Sequence, residues 1–133
     1  MPDPRTVTHA APQECAGFVP VLVVRDPEAA ASFYGLAFGA ELRSACDAGA
    51  ELALGTSRLR LVRADRQRGL LGAENFGGAP VLLALRVADL DAAVARATAH
   101  GAVLLRQAPE SGARNVLLRD PFLHVWELAE GSG

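Results

Sequence analysis

The chain contains no lysine; all 13 of its basic residues are arginine. Against 15 acidic residues this leaves a formal net charge of −2. There is no cationic surplus to neutralise a phosphate backbone, so nucleic acid is not an expected partner. Cysteine is scarce: only Cys15 and Cys46 occur. Two are too few for a disulfide framework, they lack metal-ligand spacing, and they read as free thiols. No segment approaches the run of about 20 apolar residues that spans a bilayer, so no membrane partner is expected. The opening Met1-Pro2-Asp3-Pro4-Arg5 lacks the charged-then-apolar order of a signal segment, and the default expectation is a cytoplasmic location. Two catalytic signatures are also missing. No Walker-type or G-x-G-x-x-G loop leads from a strand into a helix, and Ser44, Ser57 and Ser111 have no G-x-S-x-G context.

What is present suits one ordinary domain. Of 133 residues, 50% are hydrophobic and 21% charged. That composition buries enough apolar surface to offset ordering entropy, which excludes a disordered chain. Alanine, with 26 residues, is very frequent. We read the alanine and the arginine-for-lysine usage as compositional bias, although arginine also grips planar anions better than lysine.

The order of elements can be read from periodicity and punctuation. Residues 1–16 have no period and read as a loose N-terminal arm. Phe18 to Val24 reads as a buried strand that Pro20 pushes toward an edge or a strand start. Asp26-Pro27-Glu28 is a helix start: a cap, a proline at the first position and an acid at the positive dipole end. The helix runs from Ala29 to Phe38 with Ala30, Phe33, Tyr34 and Ala37 on one stripe, and Gly39 ends it. Strands are predicted at Glu41–Ala45, Glu51–Leu54 and Arg58–Val62. Residues 65–79 are polar, glycine-containing and aperiodic, and read as a linker. The order then restarts with a strand over Val81–Val87 and a helix from Leu90 to His100 capped by Asp89. Strands at Val103–Gln107, Asn115–Arg119 and His124–Ala129 follow.

This is an internal repeat. Val24 to Ala30 answers Val87 to Ala93, and Gly39-Ala40 answers Gly101-Ala102. The offset is 63 at the helix start and 62 at its end. Each half reads βαβββ, over 17–64 and 80–130, within an α+β fold. Neither half can hide an apolar sheet face alone, so the halves must cover one another or a partner chain.

Duplicated βαβββ with the run Asp26 to Ala40 resembles the vicinal-oxygen-chelate superfamily. That group includes glyoxalase I, extradiol dioxygenases, fosfomycin-modifying enzymes and bleomycin-resistance proteins. Phe33-Tyr34 and Phe38-Gly39-Ala40 are the most familiar pieces, and Asp120 to Leu128 is similar to the superfamily's last hairpin. Leu123 departs from the usual turn glycine. A branched residue disfavours positive φ, so this turn is expected to be remodelled. The resemblance implies tandem modules forming a curved, mixed-sheet cup with helices outside. Side chains facing into the cup from the first and last strands of each module would make the site.

The resemblance also assigns four metal-ligand positions. Here they hold Val19, Arg60, Leu82 and Glu127. Valine and leucine cannot ligate, arginine repels a cation, and one carboxylate is a poor site. No metal and no other cofactor is therefore expected. His9, His100 and His124 offer nothing at these positions, and alternation sets His124 on the face opposite Glu127. Glu127 is the strongest site candidate, as a ligand acceptor, as a general base if the protein is an enzyme, or as a structural partner of Arg60. Arg58, Arg60 and Arg86 should share the inner face and favour an anionic ligand group; solvated arginines at a sheet rim are the alternative. Val19, Val21, Val23, Leu82 and Ala84 would form apolar walls. Phe76 in the linker is a candidate cover for the cup mouth.

Three readings follow. The first is a metal-free, bleomycin-resistance-like protein that sequesters a small organic drug or metabolite, as a homodimer with two pockets. The second is a glyoxalase-like lyase or a dioxygenase, metal-dependent or using Glu127 as base. The third is a regulatory or structural subunit. Whether a cup pairs halves of one chain or of two stays open at this stage.

Overall fold

A computed structural model describes residues 15–107 and 114–131. The expected N-terminal arm, up to residue 14, and Ser111 lie outside the described residues. Both helices begin as their caps dictate. Asp26 accepts from the Ala29 N–H and Asp89 from the Ala92 N–H, each at 3.1 Å, which satisfies one of the orphan donors at each helix start. The helices are α1 (Pro27–Phe38) and α3 (Leu90–Ala99). Gly39 closes α1 at φ 75°, in the left-handed region that glycine enters freely.

The strands are β1 (Val21–Val24), β2 (Glu41–Cys46), β3 (Gly49–Leu54) and β4 (Ser57–Arg63), then β5 (Leu82–Val87), β6 (Val103–Arg106), β7 (Asn115–Arg119) and β8 (Val125–Glu130). They form two mixed four-stranded sheets, ordered β1-β4-β3-β2 and β5-β8-β7-β6. In each, the strand before the helix pairs in parallel with the last strand of the module. This is the duplicated βαβββ arrangement. Pro20 stands just before β1, and β1 is an edge strand, as a proline requires. The 65–79 segment is not featureless. It holds a short 3-10 turn (Arg66–Arg68) and a four-residue helix α2 (Ala73–Phe76). No described helix is long and apolar enough to cross a membrane.

Strand alternation sends one face of each sheet to the core. Leu22, Val24, Leu52, Leu59 and Leu61 are buried from the first sheet, and Val116, Leu118, Trp126 and Leu128 from the second. Helix α1 buries Ala30, Phe33, Tyr34 and Ala37, the stripe that the 3.6-residue period predicts. The helices also pack on each other, so both modules share one core. The two sheets do not close on one another within the chain; each turns its other face outward.

Tyr34 and Asp120 lock the two modules together. The Tyr34 hydroxyl donates to Asp120 Oδ2, which also accepts from Trp126 Nε1 at 2.9 Å. Asp120 Oδ1 accepts from the backbone N–H of Phe122 at 2.8 Å and of His124 at 3.1 Å. The carboxylate is thus buried with its lone pairs occupied, the condition under which burying a charge is tolerable. Burial, reinforced by the neighbouring Asp120 charge, holds the Tyr34 phenol well above its ordinary pKa.

The turn at Leu123 corrects one expectation. It is not remodelled: Leu123 itself adopts φ 71°, the one positive φ among described non-glycine residues. Asp120 explains why. Its side chain ties down the backbone on both sides of Leu123, and its own carbonyl accepts the Leu123 N–H at 3.0 Å. The surrounding bonds over-determine the conformation, so a cost of about 1–2 kcal/mol is absorbed locally.

Candidate functional site

The register shows which residues share a face. Val21 lies opposite Arg60, and Val23 opposite Val62, in the first sheet. Ala84 lies opposite Glu127, and Leu82 opposite Val125, in the second. Val21 and Ala84 each stand five residues before their helix cap. Arg60 and Glu127 are therefore equivalent positions of the repeat, as the sequence predicts. Glu127 is half-buried between the buried Trp126 and Leu128, which face the core. Val19, just before β1, and Leu82 are 42% and 54% exposed, on the outward side.

The other sequence-predicted residues fall on the same outward faces. Val21 and Val23 alternate with the buried Leu22 and Val24. Arg58 and Arg60 alternate with Leu59 and Leu61, and Arg86 follows Ala84 along β5. The structure thus gathers Val19, Val21, Val23, Arg58 and Arg60 on one sheet and Leu82, Ala84, Arg86 and Glu127 on the other. Parts of the two rows meet within one chain, where Val19, Arg58 and Ala84 line a single cleft of about 460 Å³. Arg60 and Glu127 do not form the structural pair that was one reading of Glu127. The ion pairs found among the described residues join Arg43 to Glu41, Arg58 to Glu51, and Arg114 to Asp91 and Glu130.

Several neighbours escaped sequence reasoning. Glu51 lies opposite Arg60 and pairs with Arg58 at 3.6 Å. Leu117 lies opposite Glu127, and Arg119 opposite Val125. Alternation within β3 and β7 carries this signal, but only strand pairing says which residues meet. His124 is buried, with its Nε2 3.3 Å from the Val23 carbonyl oxygen, and so braces β1 against the second module. Phe76 is 70% exposed on α2, beside β1. Both cysteines are free and exposed.

A family model for the glyoxalase-like domain matches residues 20–129. The chain belongs to the glyoxalase-like domain family. Its solved neighbours include glyoxalase, bleomycin-resistance and fosfomycin-resistance proteins of the vicinal-oxygen-chelate superfamily. A gene product from Arabidopsis thaliana is 29% identical with a TM-score of 0.74, over 87% of this chain and 99% of that one. A glyoxalase/bleomycin resistance protein/dioxygenase family enzyme from Burkholderia phytofirmans is 21% identical with a TM-score of 0.68, over 84% and 95%. The fosfomycin resistance protein of Listeria monocytogenes, solved with manganese(II) and sulfate, is 18% identical with a TM-score of 0.69, over 89% and 92%. Comparison with curated proteins gives no match.

The positions that the resemblance assigns to metal ligands can be judged by the donors this glyoxalase-like chain places there. Val19, Arg60, Leu82 and Glu127 supply one carboxylate, two hydrocarbons and a fixed cation. Such a set does not fit a divalent ion. Among the described residues, no group of three or more His, Cys, Asp or Glu is placed to hold a metal.

Proposed function

We propose that this glyoxalase-like protein binds a small organic anion without a metal, and that it sequesters rather than transforms its ligand. The carrying observation is the content of the outward rows. Valines, a leucine and an alanine give an apolar floor, and Arg58, Arg60 and Arg86 supply guanidinium groups suited to a carboxylate or phosphonate. Val19, Arg58 and Ala84 already line one cleft within the chain, and a second copy laying its second sheet over the first sheet of its partner would enclose the rest of both rows. The exposed Val19, Val21 and Leu82 support this homodimeric reading, because pairing would cover them. A drug-binding, resistance-type role is the form that the superfamily resemblance favours.

The test is a binding series by thermal shift and calorimetry on chelator-treated protein. The panel holds fosfomycin, a bleomycin-type glycopeptide and aromatic carboxylates. A ligand at a hundredfold excess over its Kd should stabilise the fold by about 2.7 kcal/mol. Arg60→Ala should weaken a genuine ligand at least tenfold. No shift across the panel would favour a regulatory subunit instead.

Glu127 supports a second reading, a metal-free lyase. Its half-buried carboxylate belongs to none of the ion pairs among the described residues, and Leu117 and Ala84 flank it. A carboxylate so placed can act as a general base. Turnover that disappears in Glu127→Gln while ligand binding persists would establish this reading over sequestration.

A further inference from the structure

The two modules differ in side-chain size at matched positions between helix and hairpin. Between α1 and the β2–β3 hairpin lies a cleft of about 710 Å³, on the helix-covered face of the first sheet. It is separate from the outward rows described above. Its floor is made by small residues, among them Ala31, Gly35 and Ala50, and its rim by Leu36 and Leu42. Those two leucines are 52% and 58% exposed.

The second module carries larger side chains at the matched positions. The helix offset of 63 sets Val94 where α1 has Ala31, and Leu90 where it has Pro27. In the sheets, Ala50 lies opposite Leu61, while Val116 lies opposite Leu128. Since Arg60 answers Glu127, Ala50 answers Val116. The first module has therefore lost side-chain volume at matched positions, and the loss coincides with the cleft. An open, mostly apolar cleft of drug-molecule size is the kind of concave surface that small organic ligands occupy.

Charge around the cleft indicates which occupant. Glu28, Asp47 and Arg63 line it. Arg63 is already committed: its Nε donates to the Asp47 carbonyl and its Nη1 to the Arg25 carbonyl, each at 3.0 Å. Neither Glu28 nor Asp47 takes part in the ion pairs found among the described residues. Two carboxylates without an ion pair among the described residues outweigh one arginine, two of whose donors are taken by backbone carbonyls.

We infer that this cleft is a second ligand site and that it takes an apolar organic cation. It is opposite in preference to the arginine-bearing faces, so the two sites select different molecules from one mixture.

A matched pair of probes tests this. Tetraphenylphosphonium and tetraphenylborate share shape and differ in sign. By calorimetry, the phosphonium should bind at least tenfold more tightly than the borate. It should slow alkylation of Cys46, which lines the cleft, and leave Cys15 unaffected. Ala31→Val with Ala50→Val, the second module's own residues, should weaken phosphonium binding at least tenfold without lowering Tm. Glu28→Gln with Asp47→Asn should also weaken it, which keeps the inference testable if the valine variant folds poorly. Arg60→Ala should leave it unchanged. Equal affinity for both probes, or phosphonium binding that survives the valine and charge variants, would overturn the inference.

Discussion

Tyr34 is the residue on which the joint between modules depends most. It is the only tyrosine, and the chain has no lysine. Above pH 10 its phenol is, among the described residues, the buried group whose deprotonation opposes the fold, since both thiols are exposed. Its folded pKa is raised, so the stability it confers is complete below the unfolded value of about 10. That contribution is lost as pH climbs through the folded value. Denaturant melts from pH 7 to 11.5 should show wild type losing stability only in the alkaline range, and Tyr34→Phe lacking that loss. At pH 7 the same substitution should cost about 1.5–3 kcal/mol, the usual worth of a hydrogen bond to a charged group. The sequence shows that a buried Tyr34 needs a partner. It does not show Asp120, because 86 residues separate the two and only the fold makes them neighbours. Leu123 teaches the converse. Local preference argues against its φ of 71°, and the Asp120 bonds override it. Chemical denaturation should rank Leu123→Gly as neutral or stabilising and Leu123→Val as the more damaging change. A β-branched residue pays more heavily in the left-handed region than leucine does.

At the scale of elements, most of the fold was legible. The helix starts are written in Asp26 and Asp89, and the strands in alternation, with ends that shift by a residue or more. The segment between the modules was not legible, because its structure depends on what it touches. Gly72 packs so closely on β1 that an added Cβ would lie 2.0 Å from the Val23 carbonyl oxygen. The Gly72 N–H donates to Asn75 Oδ1 at 2.8 Å, and the Arg25 N–H donates to Glu74 Oε1 at 2.8 Å. No period in residues 65–79 encodes those contacts. Gly72→Ala should therefore destabilise by about 1–3 kcal/mol, the usual cost of overpacking. Faster amide exchange in β1 and α2 should accompany it. A melt unchanged from wild type would mean that the segment is not seated on β1.

For the whole molecule, the repeat was readable as order and punctuation, but its assembly was not. The resemblance assigns Val19, Arg60, Leu82 and Glu127 to the ligand positions, and the register sets Val21 opposite Arg60 and Ala84 opposite Glu127. Which sheet opposes which is a question of packing between helices. Helix α1 packs on α3, and within one chain the two rows share the cleft lined by Val19, Arg58 and Ala84. The proposed dimer would enclose the rest of both rows, and the proposed chemistry follows from their content, since a cup built from these rows offers guanidinium groups in place of metal donors. The most direct measurement is a calorimetric titration of chelator-treated protein with manganese(II) and zinc(II), followed by the same titration on Glu127→Ala. The account predicts no stoichiometric heat in either. One ion bound per chain in the wild type, and none after the substitution, would contradict it.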